Sequence, residues 1–135
     1  MNNTDNNTAN YNFEPKNYSP LTLAFIGDGV YDLMVRTYLA SCANRPVGEL
    51  NKMKVSLVNC KAQADFAQKL MPLLTESELA VYKRGRNAHT ANTPKNSSSA
   101  DYHSATGFEA LFGYLYISKE YERLSEIFNT ILELK

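Results

Sequence analysis

The chain has 135 residues, 44% of them hydrophobic and 21% charged, with fourteen basic and fourteen acidic side chains. That size fits one globular domain with a real core. No apolar run approaches the roughly 18 residues of a membrane span, the polar N-terminus lacks the basic and apolar regions of a signal peptide, and two cysteines, Cys42 and Cys60, make no disulfide scaffold and lack zinc spacing; a reducing cytoplasm and no membrane contact are expected.

Residues 1–16 begin MNNTDNNTAN and read as a disordered polar tail ahead of a single domain over 17–135. Ser19-Pro20 supplies an N-cap and a first helical position. The helix that follows over 21–41 is apolar on most sides, through Leu23, Phe25, Ile26, Val30, Leu33, Met34 and Leu39, which predicts a central, buried element. Arg45-Pro46 restarts the chain. Leu50, Met53, Leu57, Cys60, Ala64, Ala67 and Met71 then advance in steps of three and four, predicting one long helix closed by Pro72, with Cys60 as a small core residue. Thr75 and Glu78 fit a capping box opening a short helix that ends near Gly85. Residues 88–100 hold no large apolar side chain and read as a loop, long enough to suggest a functional role. Two further helices are expected over 101–118, with Phe108, Leu111, Phe112 and Leu115, and over 121–134, with Leu124, Ile127, Phe128, Ile131 and Leu132. No stretch alternates like a strand, so the expected fold is all-α with about five main helices.

Two segments break the rules of a buried helix. Asp28 sits between Gly27 and Gly29 in the most apolar helix, and Glu109 sits among Phe108, Ala110, Leu111 and Phe112 with Gly107 and Gly113 on either side. Each mid-helix glycine costs about 1 kcal/mol against alanine, and an unpaired buried carboxylate costs more. Violations of this kind mark functional sites. Small residues beside each acid would let two helix backbones approach and bring the carboxylates together. They would then repel unless one were protonated or a cation lay between them; with no Cys or His cluster at hand, oxygen ligands point to Mg²⁺ or Mn²⁺. The alternative, each acid paired with a buried Arg or Lys, stays open on the residues alone. His89 and His103 have no partner at ligand spacing.

Charge is uneven along the chain. Residues 45–95 carry nine basic and four acidic side chains. Between Glu78 and Asp101 there is no acid, while Lys83, Arg84, Arg86 and Lys95 all fall there. Cations at the end of a helix complement its dipole; because this run continues into the polar loop, a phosphate-contacting surface is the better reading.

These motifs resemble a known family. Leu23-Ala24-Phe25-Ile26-Gly27-Asp28 resembles the signature helix of the ribonuclease III family, and Phe108-Glu109-Ala110-Leu111-Phe112-Gly113 resembles its second catalytic helix. Arg84-Gly85-Arg86-Asn87-Ala88, Thr93-Pro94-Lys95-Asn96 and Lys61-Ala62-Gln63-Ala64 are similar to features of Mini-ribonuclease III, the short bacterial branch without a double-stranded-RNA-binding domain. The resemblance implies a homodimeric endoribonuclease that cuts double-stranded RNA with Mg²⁺ or Mn²⁺ and leaves a 5′ phosphate and a 3′ hydroxyl. It makes Asp28 and Glu109 catalytic metal ligands. It places Arg84, Arg86, Asn87 and Lys95 on RNA and packs Phe25 into the partner subunit. Precursor 23S (large-subunit) ribosomal RNA is the implied substrate, with ribosomal proteins as further candidate partners. The longer enzymes of the family have a glutamate at Ala24 and an aspartate at Thr106, so two usual carboxylates are missing, and Glu49 lies near the position of another. A catalytically silent RNA- or ribosome-binding module is the competing reading.

Overall fold

The computed structural model describes residues 14–88 and 99–135, and among these every regular element is helical. A 3₁₀ turn over Pro15–Asn17 precedes α1 (Pro20–Cys42), α2 (Val47–Val58), α3 (Cys60–Leu70), α4 (Glu76–Arg86), α5 (Ser99–Ile117) and α6 (Tyr121–Leu134), with a second 3₁₀ turn, Met71–Leu73, before α4. The expected tail over 1–16 lies outside the described residues apart from 14–16, as does most of the loop, including His89 and Lys95.

The local signals at the helix ends act as the sequence predicts. Ser19 Oγ accepts from the Thr22 N–H at 3.1 Å, with Pro20 at the first helical position. Thr75 Oγ1 accepts from Glu78 N at 3.2 Å while Glu78 Oε1 accepts from Thr75 N at 2.9 Å, a complete capping box. The chain leaves α5 through Lys119, held at φ 61, with Glu120 N donating to Leu115 O at 2.9 Å.

Three expectations need correction. The single long helix is two helices, giving six where the pattern suggests about five. Asn59 divides them: its Nδ2 donates to Val55 O at 2.9 Å, closing α2, and its Oδ1 accepts from Ala62 N at 2.9 Å, opening α3. One side chain caps both ends, and its extended backbone (ψ 161) breaks the helix without breaking the phase of the apolar stripe. Cys60, at the start of α3, is only partly buried.

The central helix is also not α1 but α5, which packs against α1, α3, α4 and α6. α1 buries Leu23, Ala24, Tyr31, Val35 and Leu39 and leaves Phe25 82% and Leu33 64% exposed on its other side. Its all-round apolarity serves two surfaces, one inside the domain and one outside. The inner one is anchored by Tyr31, whose ring meets Phe108 and Phe112 edge-on at 4.8 and 5.2 Å and whose hydroxyl donates to Leu57 O at 2.8 Å.

Candidate functional site

The site follows from how closely α1 and α5 cross. A Cβ on Gly27 would stand 1.7 Å from the Glu109 carbonyl oxygen, and one on Gly113 would stand 1.9 Å from the Leu23 carbonyl oxygen. Only glycine allows these backbones to touch. Gly29 is different, because a Cβ there meets nothing within 4 Å. One residue beyond Gly27, and at the very residue Gly27 touches, stand the carboxylates of Asp28 and Glu109, close enough to share a hydrogen bond. The juxtaposition expected from the small residues is therefore present, and the glycine that creates it is Gly27.

Among the described residues neither Asp28 nor Glu109 makes an ion pair, so the alternative of a buried Arg or Lys beside each is not what the structure holds. Burial, the charge of Asp28 and the hydrogen bond to it push the Glu109 carboxyl up to about 8, against an opposing hydrogen bond from Gln63. Without a cation Glu109 keeps its proton at neutral pH. Asp32, one turn on from Asp28, is instead held by Arg36 at 2.6 Å and Lys54 at 3.9 Å. Glu49 pairs with Arg45 on the surface at 3.3 Å.

A hard divalent cation fits this pair. Both donors are carboxylate oxygens, and among the described residues no thiol or imidazole joins them and no group of three acidic, thiol or imidazole side chains suited to a metal occurs. The buried Ala24 offers no donor, and Thr106 turns its hydroxyl to donate to Tyr102 O at 3.0 Å within its own helix. Among the described residues two carboxylates would face such a cation, and its other ligands would have to come from water or phosphate oxygens.

The basic end of α4 lies within a turn of this crossing. A Cβ on Gly85 would come within 2.8 Å of Ala110 Cβ and 2.9 Å of Gly107 Cα, so α4 is pressed against α5 beside Glu109. Lys83 and Arg84 are exposed, Arg86 lies 5.6 Å over the Tyr82 ring, and Asn87 ends the helix, its N–H donating to Lys83 O at 2.9 Å. Sequence reasoning did not single out Gln63 as a site residue; its signal was a polar residue on the buried face of α3 beside Ala64 and Ala67.

This fold, with this pair of acids on crossing helices, is that of the Ribonuclease III domain, whose family model matches residues 21–120 and so takes in both carboxylates. Whole-chain relatives narrow the assignment. Mini-ribonuclease 3 of Thermoanaerobacter sp. (strain X514) is 49% identical over 109 residues, covering 81% of this chain and 77% of that protein. Mini-ribonuclease 3 of Clostridium tetani is 42% identical over 124 residues, covering 88% and 80%. The crystal structure of a protein from Fusobacterium nucleatum superposes with a TM-score of 0.83 at 30% identity, covering 90% of this chain and 99% of that one. The chain belongs to the ribonuclease III family, in its Mini-ribonuclease 3 branch, and is an endoribonuclease. The family acts on double-stranded RNA and depends on divalent metal ions.

Proposed function

We propose that this chain cleaves double-stranded RNA at a site built on Asp28 and Glu109, matures precursor 23S ribosomal RNA, and leaves a 5′ phosphate and a 3′ hydroxyl. The observation that carries the reading is the carboxylate pair itself: two acids facing each other beside the α1–α5 crossing, Glu109 half-buried and Asp28 open to solvent, with neither paired to a cation among the described residues. A silent binding module has no use for such a pair, since separating or pairing the acids would lower its energy. Asp28 and Glu109 would hold Mg²⁺ or Mn²⁺, which when bound supplies acidification of the attacking water and stabilisation of charge on the phosphate. To do so Glu109 must release its proton. Arg84, Arg86, Asn87 and Lys95 supply phosphate contacts. They carry affinity without sequence readout, because an A-form duplex hides its major-groove base edges.

The exposed face of α1 supports a homodimer. Phe25, Leu33 and Leu21 stand on the surface beside an apolar groove lined by Ile26, Val30, Tyr116 and Tyr121. A second copy is the occupant that gives one site per strand of the duplex. Substrate delivery by a ribosomal protein and a cytoplasmic location are compatible with this reading; no described helix is long and apolar enough to cross a membrane.

One set of measurements on purified protein tests the proposal. The parent should run as a dimer by light scattering at micromolar concentration and cut a labelled RNA duplex, and a 23S precursor fragment, only with Mg²⁺. Asp28→Asn should lower cleavage by about 10³-fold while folding and duplex binding persist. Arg84→Ala with Arg86→Ala should weaken binding to unrelated duplexes alike and flatten its salt dependence. An Asp28→Asn protein that cuts at the parent rate removes the assignment.

A further inference from the structure

Gln63 is the most deeply buried polar side chain in the described residues, only 3% exposed, and it stands on the face of α3 that meets α5. Its surroundings fix which way its amide points. The helix break at Asn59 leaves the Val58 carbonyl at the end of α2, where a C-terminal carbonyl has no helical partner. Gln63 Nε2 donates to that oxygen at 2.8 Å. The same amide lies within hydrogen-bonding reach of the Glu109 carboxylate, as a donor. Both neighbours are acceptors, so the amide must face them with its two N–H groups. Its oxygen is left buried with no partner. Turning the amide over would satisfy nothing: it would set Oε1 against the Val58 carbonyl and the Glu109 carboxylate together. The orphaned oxygen is the cost of a two-pronged donor aimed at a backbone anchor on one side and an active carboxylate on the other.

We propose that Gln63 is a positioning residue that fixes the Glu109 carboxylate beside Asp28 and so sets the affinity of the pair for a divalent cation. The inference rests on the assignment of Asp28 and Glu109 as metal ligands. Asp28 repels an ionised Glu109, and among the described residues no cation pairs with either acid to oppose that repulsion. The Gln63 amide, anchored on Val58 by the same Asn59 break that divides α2 from α3, supplies a neutral donor that favours the ionised, inward-facing carboxylate without competing for the cation. With Ala24 and Thr106 in place of acids, the orientation of the two remaining carboxylates governs binding more strongly than in a site with four.

The test is Mn²⁺ titration in the absence of RNA, followed by magnetic resonance of the free ion, together with the Mg²⁺ concentration for half-maximal cleavage. Gln63→Met keeps length and volume and removes both N–H donors. It should weaken Mn²⁺ binding by roughly tenfold or more and raise the Mg²⁺ requirement in step, as loss of a group orienting a ligand does. The KM for the duplex at saturating Mg²⁺ should stay within about twofold, because a residue acting only on the ligand leaves the RNA contacts in place. Ala67→Gly, one turn along the same buried face, is the control for simple loosening of α3. A Gln63→Met protein with the parent's Mn²⁺ affinity overturns the proposal, and so does an Ala67→Gly protein that shifts the metal requirement equally. Should Gln63→Met not fold, Gln63→Asn, which shortens the reach of the same amide, is judged by the same two criteria. Glu109→Gln separates this inference from the one beneath it. If Glu109→Gln retains the parent's Mn²⁺ affinity, the ligand assignment fails; if it loses that affinity and Gln63→Met does not, only the role of Gln63 fails.

Discussion

Two glutamates in this domain are largely withdrawn from water, and they are treated in opposite ways. Glu78, 5% exposed, opens α4 and meets Arg123 of α6 with both oxygens, at 2.8 Å from Nε and 2.9 Å from Nη2, while its capping box adds the Thr75 N–H. Burial pushes its carboxyl up, but the hydrogen bonds from Arg123 and Thr75 outweigh that and hold it below the usual carboxylate range. Glu109 has burial, the charge of Asp28 and a shared hydrogen bond all pushing it up, to about 8, with only the Gln63 amide opposing them. One corner is complete within the chain. The other is an unfavourable arrangement that a cation from outside would relieve, which is how a binding site differs electrostatically from a structural ion pair.

The largest effect should come from breaking the complete corner. Arg123→Ala strands a buried carboxylate and removes the donor to Leu73 O at 3.0 Å, and should cost about 3–5 kcal/mol in urea denaturation at pH 7. Because the Glu78 pKa is lowered in the folded state, its contribution is full above the unfolded value near 4.3 and is lost as pH falls through the folded value. The gap between parent and mutant should therefore narrow in acid. Cleavage per folded molecule should not change. A constant gap down to pH 2 would show that Arg123 acts through packing instead.

The open corner predicts the opposite slope. Without divalent cations, folded Glu109 keeps its proton up to about 8 and the unfolded chain releases it near 4.3, so the folded state binds more protons over that interval. Parent stability in EDTA should fall as pH rises from about 4.3 to about 8. Glu109→Gln should remove this fall and stand up to about 3 kcal/mol above the parent at pH 7, while abolishing cleavage. Melting curves at pH 5 and pH 8 in EDTA decide it; parallel behaviour of parent and mutant would mean that neither burial nor Asp28 holds the Glu109 carboxyl up in the folded state.

Which of these features can be read from the chain follows from their range. The Asp28–Glu109 pair is legible because each acid violates its own helix pattern and each has glycine nearby, and the Thr75–Glu78 box is legible because it spans four residues. Arg123 is not, since it reaches Glu78 across 45 positions and no local rule links them. The break at Asn59 is hidden because the apolar stripe continues in phase across it. Apolarity alone could not say that Phe25 and Leu33 face outward, because a helix that is apolar all round suits a buried core and a surface awaiting a second subunit equally well. Gln63 is visible in the chain only as part of the Lys61-Ala62-Gln63-Ala64 stretch, because a polar residue on an apolar face gains a role only once its neighbours, Val58 and Glu109, are known.

The smallest predicted effect separates the two glycines that flank Asp28, which the sequence presents as equivalent. Gly27 is where the crossing is made: alanine there would drive a methyl carbon into the Glu109 carbonyl, the helices would part, and the carboxylates would separate with them. Gly29 occupies an exposed turn of the same helix with open space around it. There glycine keeps only its entropic penalty in a helix interior, so Gly29→Ala should stabilise the chain by about 0.5–1 kcal/mol. Because Gly29 borders the apolar groove beside Leu33 and Tyr116, the measurement belongs at concentrations where light scattering shows monomers, so that helix propensity is read apart from association. Metal affinity should be unchanged, since the added methyl group meets nothing within 4 Å. A Gly29→Ala protein that is destabilised as a monomer, or that binds Mn²⁺ more weakly, would show that the open corner depends on both glycines and not on the backbone contact at Gly27 alone.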